Sequence, residues 1–202
     1  MTKTPHSYFF GYGSLVNRKT HGFEGAEVAL LDGWRRIWRY TTLREVAYLT
    51  VVPDPDCRID GLIAPVPDQD WEALDYRERA YARVPAAHQV THGLAHAPQI
   101  AVYAIPAGQH EAPTQTHSLL LSYIDVVVQG YLTEFGTGGV ERFFATTHGW
   151  DAPIIDDRSA PRYPRHCTLG PDEIALVDDH LARLNVSILP PDEGPNPTAW
   201  RE

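Results

Sequence analysis

The sequence predicts an α+β fold with a curved or closed sheet. Five strand-like runs fall within residues 1–66 of the 202-residue chain, and the helical patterns come later. Strands and helices do not alternate regularly, as they would in a doubly wound fold. No interdomain linker interrupts the chain, whose length suits one domain. We therefore expect a single domain over residues 1–188, followed by a Pro-rich tail over residues 189–202.

The strands are predicted from apolar or β-branched runs bounded by turn residues. The first run, residues 7–13, is aromatic and leads into a glycine turn. The sequence Pro53-Asp54-Pro55 is a strong stop signal, so we expect it to end the fourth run. The remaining predicted strands cover residues 27–31, 35–42, 47–52, 59–66, 89–92 and 99–105.

The helices are predicted from three- and four-residue apolar steps and from acidic N-terminal turns. Residues 68–72 are acidic and open a first helix, because negative charge suits a helix N-terminus. Residues 117–135 give the longest pattern, with an apolar face made of Leu120, Tyr123, Ile124, Val127, Val128 and Tyr131. Two further helices are expected over residues 139–147 and 171–185, on either side of a Pro- and Asp-rich loop.

Composition excludes several classes of partner. The chain has 17 Lys and Arg against 26 Asp and Glu, a net charge of −9. This balance argues against a nucleic-acid surface and against binding to an anionic membrane. The N-terminal residues lack the apolar core of a signal peptide, and no apolar run approaches the length of a membrane helix. Two cysteines cannot form a disulfide framework. We expect a cytoplasmic protein.

The hexapeptide Phe10-Gly11-Tyr12-Gly13-Ser14-Leu15 follows the first predicted strand. Glycines allow a ligand to approach backbone amides closely, because no Cβ intervenes. Such a turn can hold a carboxylate or an oxyanion. The alternative is that Gly11 and Gly13 only permit a tight turn. The glycine spacing matches neither a phosphate-binding loop nor a dinucleotide fingerprint.

The segment Leu74-Asp75-Tyr76-Arg77-Glu78 places a carboxylate among apolar and aromatic residues near a helix end. Burial favours the protonated form of a carboxyl group and so makes Glu78 a candidate for proton transfer. The neighbouring arginines act in the opposite direction. The alternative is a ladder of Glu–Arg ion pairs on the surface, which would contribute little.

Together, the FGYGSL turn and the LDYRE segment resemble the γ-glutamylcyclotransferase family, in the branch with ChaC-like and AIG2-like proteins. The resemblance covers about residues 8–135 and includes the family's glycine-containing strands. It implies a small mixed β-barrel flanked by helices. It also implies Glu78 as general acid and base and Tyr12, Gly13, Ser14 and Leu15 as the substrate loop. By the same resemblance, Tyr123, seven residues before Gly130, is a further substrate-binding residue. The alternative is that Tyr123 only packs within the apolar face of the helix predicted over residues 117–135.

The sequence departs from the family in three places. One is the separation of Arg77-Glu78 from Tyr81, which is shorter than in the ChaC-like branch. Many members have Asn after Tyr-Gly-Ser, whereas this chain has Leu15, as in the ChaC-like branch. Residues 149–165 lie outside the common core. They form either a surface loop stabilised by ion pairs or a cap in which Arg158 or Arg165 recognises a carboxylate on the leaving amino acid.

The resemblance implies cyclisation of a γ-glutamyl amide to 5-oxoproline with release of an amine or amino acid. The substrate carries its own nucleophile, the α-amino group, so the expected reaction needs no cofactor and the expected partner is a small γ-glutamyl molecule. Two alternatives stay open. One is an enzyme that transfers or releases a γ-glutamyl group from another metabolite, and the other is a non-catalytic domain that binds a small ligand.

Metal and thiol chemistry are not expected. His88, His92 and His96 would align on a helix, but Pro98 and the intervening residues disfavour a helix there. Cys167 follows His166, yet adjacent side chains rarely face each other as a nucleophile and base do. We therefore predict that no metal site and no catalytic cysteine exist.

Overall fold

A mixed sheet forms the centre of the computed structural model, which describes residues 7–41, 46–113 and 117–192. Its strand order is β4-β6-β1-β3-β2-β5, with β8 pairing beside β2. A smaller sheet has the order β10-β9-β7. The strands are β1 (Ser7–Gly11), β2 (Glu27–Arg39), β3 (Tyr48–Pro65), β4 (Ala82–Pro85), β5 (Val90–His92), β6 (Gln99–Ala104), β7 (Leu119–Leu120), β8 (Thr147–His148), β9 (Ile154–Ile155) and β10 (Ile188–Leu189).

Three α-helices accompany this sheet in the described part of the chain. They are α1 (Trp71–Arg77), α2 (Leu121–Ala145) and α3 (Pro171–Arg183). Three short 3-10 helices occur at Ser14–Val16, Arg18–Thr20 and Pro67–Gln69. The prediction of an α+β fold with mixed strands flanked by helices is confirmed. Within the described part of the chain, no helix is long and apolar enough to cross a membrane.

Strand β1 is buried along its whole length and lies between two partners. It pairs antiparallel with β3, where Phe9 faces Ala64, and parallel with β6, where Phe9 faces Ala101. A strand with partners on both sides is held in register along its length. The turn that follows β1 therefore starts from the middle of the sheet.

Strands β2 and β3 are each longer than predicted. Each joins two predicted strands, and the expected stop at Pro53-Asp54-Pro55 is wrong. The register shifts at this point: Asp32 pairs with Arg58 and Trp34 with Pro53, so only Gly33 faces the intervening residues of β3. Proline lacks an N–H but is tolerated in such a bulge, because no ladder bond is required there. The positive φ of 79° at Gly33 completes the irregularity.

Helix α2 combines the two predicted helices, residues 117–135 and 139–147. The break between them is real, since Gly136 is non-helical with φ 66° and ψ −169°. The predicted start is wrong: Leu119 and Leu120 form β7, and the helix begins at Leu121. Its first three turns are almost completely buried, which explains why the apolar residues extend around the helix rather than along one face.

Helix α2 packs directly on the segment that follows the glycine turn. A Cβ on Gly130 would lie 2.6 Å from the backbone N of Asn17. The side-chain amide of Asn17 donates to the Val126 carbonyl at 2.9 Å and to Gln129 Oε1 at 3.0 Å. Tyr123 lies seven residues, about two helical turns, before Gly130 and so faces the same segment. The Tyr123–Gly130 spacing therefore reflects a helix that lies along the turn.

The C-terminal part of the described chain is ordered by short strands. In the loop predicted over residues 149–169, β9 pairs parallel with both β7 and β10. Strand β10 thus crosses the predicted boundary between domain and tail, and residues 193–202 of that tail lie outside the described residues. Strand β4 was not predicted, because it is a short strand with only alternate residues partly buried.

Candidate active site

The turn after β1 is shaped by close packing around its glycines. The 3-10 helix Ser14–Val16 begins there, and the amide of Val16 donates to the Gly13 carbonyl at 3.0 Å. A Cβ on Gly13 would lie 2.5 Å from the Tyr123 hydroxyl, and one on Gly11 would lie 2.0 Å from Leu15 Cδ2. At these distances a Cβ would force the Leu15 or Tyr123 side chain to move, so both positions favour glycine.

Glu78 lies at the C-terminal end of α1. Asp70 caps the helix N-terminus by accepting from the amides of Glu72 and Ala73. The amide of Glu78 donates to the Leu74 carbonyl at 2.9 Å, and its carbonyl accepts from Tyr81 at 2.7 Å. These bonds fix the backbone on both sides of the carboxylate. The side chain is 29% exposed, and its Oε1 lies 3.2 Å from Arg77 Nε. The surface ion pair between Arg77 and Glu78 is therefore present, although the Glu78 side chain is only partly exposed.

One cavity of about 610 Å³ lies between these two segments. A volume of this size suits a small-molecule ligand. Every residue predicted for the site lines it: Tyr12, Gly13, Ser14, Leu15, Glu78 and Tyr123. The turn and the carboxylate, far apart in sequence, therefore share one space.

Tyrosines form much of the cavity wall. The Tyr12 hydroxyl donates to the Tyr103 carbonyl at 2.7 Å, and the Tyr103 hydroxyl donates to Asp75 Oδ1 at 2.6 Å. Burial raises the pKa of both hydroxyls well above the usual range, and for Tyr103 the hydrogen bond with Asp75 raises it further. Both hydroxyl groups are therefore protonated at neutral pH.

Tyr123 reaches the turn itself. Burial raises its pKa well above the usual range, and a hydrogen bond with the backbone of Ser14 partly opposes this shift. Its ring packs edge-on against Tyr163, with centroids 5.0 Å apart, and against Trp38 at 5.8 Å. Tyr123 thus both packs and lines the cavity, so the two interpretations made from the sequence are compatible.

The loop over residues 149–169 contributes a third segment to the cavity: Tyr163, Pro164 and Arg165. Arg158 is not among the lining residues. Its guanidinium pairs with Asp125 at 2.8 Å and with Asp178 at 2.7 Å. The interpretation as an ion-paired loop therefore holds for Arg158, whereas Arg165 is the arginine that lies at the cavity.

Several lining residues were missed by the sequence argument, notably Tyr103, Tyr163 and His21. Tyr103 lies on β6 and Tyr163 in the distant loop, so only the fold brings them to the turn. His21 follows the turn closely, and its Nε2 lies 2.9 Å from the Leu15 carbonyl. That proximity was the one available signal, because a residue six positions after Leu15 can fold back onto the turn.

Metal-binding residues do not cluster in the described part of the chain. Across residues 7–41, 46–113 and 117–192, no group of three His, Cys, Asp or Glu side chains is placed to hold a metal ion. Both cysteines are free, and burial raises the pKa of both thiols. Neither cysteine lines the cavity.

Comparison with known families gives the decisive observation. Residues 9–121 match the family model described as gamma-glutamyl cyclotransferase, AIG2-like. The chain belongs to this family. The match covers the turn and Glu78, and it ends just before Tyr123 and the loop that supplies Tyr163 and Arg165. The family suggested by the FGYGSL and LDYRE segments is thus confirmed. A search of curated protein sequences found no significant match.

Solved structures of other proteins share this fold. A protein titled gamma-glutamyl cyclotransferase is 14% identical with a TM-score of 0.53, covering 85% of this chain and 98% of that one. The human protein loc79017 is 13% identical with a TM-score of 0.51, covering 85% and 97%. YkqA from Bacillus subtilis is 17% identical with a TM-score of 0.52, covering 70% of this chain. The chain matches 53% of the length of YkqA. At these low identities the likeness shows the fold alone.

Proposed function

We propose that this protein cyclises a γ-glutamyl amide to 5-oxoproline and releases an amine or amino acid. One observation carries the proposal: Glu78 and the Tyr12–Leu15 turn line the same cavity of about 610 Å³. A proton-transfer group and an anion-binding turn are the two components that such a reaction requires. Membership of the gamma-glutamyl cyclotransferase family supports it independently.

In the proposed reaction the substrate's α-amino group attacks its own γ-carbonyl carbon. A new C–N bond closes the five-membered lactam, and the bond from the γ-carbon to the leaving nitrogen breaks. Glu78 accepts a proton from the α-ammonium group and returns one to the leaving nitrogen. The cavity supplies the folded conformation that brings amine and carbonyl together, which is an orientation effect. Because the nucleophile belongs to the substrate, the reaction is cofactor-independent.

The turn has two possible roles within this scheme. Its amides stabilise the oxyanion that develops on the γ-carbonyl, or they hold the substrate's α-carboxylate. The amides of Gly13, Ser14 and Leu15 are the donors we assign to the ligand, because all three residues line the cavity. Tyr123 then holds the turn in position beside the ligand.

The setting we propose is the cytoplasm. Both cysteines of the chain are free thiols, which a reducing compartment maintains.

The test is to incubate the purified protein with a panel of γ-glutamyl compounds and to measure 5-oxoproline. The panel contains γ-glutamyl amino acids, glutathione and γ-glutamyl alkylamines. We expect 5-oxoproline and free amine in equal amounts from at least one compound. Release of glutamate in place of 5-oxoproline would instead indicate hydrolysis, and binding without any turnover would indicate a non-catalytic domain.

A further inference from the structure

The cavity carries an excess of positive charge in a protein whose net charge is −9. Among its lining residues are three arginines, Arg77, Arg79 and Arg165, and one carboxylate, Glu78. Arg77 pairs with Glu78 at 3.2 Å. Within the described residues, neither Arg79 nor Arg165 forms an ion pair with a carboxylate. Two guanidinium groups therefore lie at the cavity without a negative partner.

The two unpaired arginines differ in their surroundings. The Arg79 guanidinium lies over the ring of Tyr76, 5.5 Å from its centroid, and that ring is 75% exposed. Arg79 is thus associated with an outward-facing side chain. Arg165 instead interacts with Tyr163, a buried tyrosine of the cavity wall. Of the two, Arg165 is the arginine associated with a buried side chain of the cavity wall.

The segment that carries Arg165 is firmly anchored. The buried carboxylate of Asp157 accepts from the Ser122 amide at 2.8 Å, the Ser122 hydroxyl at 2.6 Å and the Arg162 amide at 2.8 Å. Tyr163 packs edge-on against Tyr123 and donates its amide to the Ser122 hydroxyl at 3.3 Å. The backbone at Tyr163, two residues before the exposed Arg165, is therefore held against the first turn of α2.

The charge of Arg165 reaches the glycine turn. Burial lowers the pKa of His21, a bond to the Leu15 carbonyl partly opposes this, and the charges of Arg18, Arg77 and Arg165 lower it further. Arg18 is paired with Glu134 at 2.7 Å. His21 is thus a neutral neighbour of the turn at pH 7, and the positive field there comes from arginines.

We propose that Arg165 is a specificity-determining residue that binds a carboxylate on the leaving group of the substrate. The glutamyl part of a γ-glutamyl amide is itself a zwitterion, so the uncompensated charge at the cavity favours a leaving group that carries a negative charge. A guanidinium group binds a carboxylate through two parallel hydrogen bonds. The cavity therefore selects γ-glutamyl amino acids and peptides over γ-glutamyl amides of neutral or cationic amines. This inference rests on the proposed function.

The test compares two substrates that differ only in this charge: γ-glutamylalanine and its C-terminal carboxamide. For the wild-type protein we expect kcat/KM for the acid to exceed that for the carboxamide about tenfold or more. A hydrogen bond to a charged group supports a ratio of this size. Arg165→Gln is expected to lower kcat/KM for the acid about tenfold, whereas kcat/KM for the carboxamide should not fall with it. Arg165→Lys should retain part of the preference, because it keeps the charge but loses the bidentate geometry.

The matched control is Arg183→Gln, which removes the same charge from α3, away from the cavity lining. We expect it to change kcat/KM for neither substrate. Equal turnover of acid and carboxamide by the wild type, or an equal effect of Arg165→Gln on both, would overturn the inference while leaving the proposed function intact. Absence of 5-oxoproline from both substrates and from the wider panel would overturn the proposed function, and the inference with it.

Discussion

The hydroxyl of Tyr123 occupies the space in which the side chain of residue 13 would begin: a Cβ on Gly13 would lie only 2.5 Å from it. The two residues come from α2 and from the turn after β1, so this contact fixes the distance between the two elements. The glycine is therefore required by a tyrosine from another part of the fold, and this dependence can be tested directly.

Gly13→Ala is expected to destabilise the protein by about 1–3 kcal/mol, because the new methyl group overpacks the contact with Tyr123. Tyr123→Phe removes the hydroxyl, so the double variant should be more stable than the sum of the two single changes predicts, with a coupling of at least about 0.5 kcal/mol. Urea unfolding of the four proteins measures this coupling. Gly22→Ala is the control, since a Cβ there meets nothing within 4 Å. Additive effects of the two substitutions would show that they do not interact.

Glu78→Gln is expected to fold normally and to lose about 10²- to 10⁴-fold in kcat on the best substrate of the panel, the usual contribution of a general acid or base. Glu72→Gln removes a carboxylate of the same helix that does not line the cavity, and it should retain activity. Rates are followed by 5-oxoproline release and folding by thermal melting. If Glu78→Gln keeps more than about a tenth of the wild-type rate, proton transfer belongs to another group.

Activity is expected to withstand exhaustive dialysis against EDTA. The proposed mechanism uses the substrate's own amine as nucleophile and gives no step to a Lewis acid. The measurement is the rate of 5-oxoproline release before and after dialysis, with a known zinc peptidase treated in parallel to verify that chelation was complete. Loss of activity that one added divalent metal restores would contradict the mechanism.

Asp157→Ala is expected to destabilise the protein by at least about 2 kcal/mol, because three donors lose the buried carboxylate that accepts from them. The same change should raise KM more than it lowers kcat, since the Tyr163–Arg165 segment loses its anchor while Glu78 keeps its place. Asp151→Ala, at an exposed position of the same loop, is the control for both measurements. A variant as stable as the wild type would show that the loop is held by other contacts.

Stability is expected to fall as the pH rises above about 10. Burial raises the pKa of Tyr131 to about 12, and it raises those of Tyr12 and Tyr123 well above the usual range. Between pH 10 and 12 the unfolded chain releases protons that the folded protein retains, so the free energy of unfolding decreases by up to about 1.4 kcal/mol per pH unit for each such group.

Urea unfolding at pH 9, 10 and 11 measures this slope. Tyr131→Phe should be less stable than the wild type at pH 9, because hydrogen bonds to the Asp60 and Tyr12 carbonyls are lost, yet its stability should fall less steeply above pH 10. An unchanged slope would indicate that Tyr131 titrates equally in both states.

The sequence allowed prediction of the parts of the site that are local. The turn residues are contiguous. Glycines beside a strand end indicate that another group approaches the backbone closely there, whatever the rest of the fold. Glu78 belongs to the short LDYRE segment, which follows the acidic residues 68–72 that predicted the first helix. The spacing of Tyr123 and Gly130 had a physical meaning as well, since it places both residues on the face of α2 that contacts the turn.

The parts that could not be predicted depend on contacts between distant segments. Pro53 and Pro55 read as a strand end because proline cannot donate to a ladder, but the bulge opposite Gly33 removes the need for those donors. Arg158 and Arg165 were equivalent candidates in the sequence. The fold distinguishes the two arginines, because Asp125 and Asp178 form ion pairs with Arg158. Arg165 has no such partner among them and lies at the cavity.

The cavity walls have two separate origins along the chain. The turn and Glu78 lie within the stretch that matches the family model, residues 9–121, whereas Tyr163, Pro164 and Arg165 lie in a loop that Asp157 secures to the start of α2. Mutations at positions 164 and 165 can therefore accumulate without disturbing the residues assigned to bond making and proton transfer. A library randomised at these exposed positions offers a route to new leaving-group preferences on an unchanged reaction. The same separation would let natural relatives diverge in substrate preference while they retain the reaction.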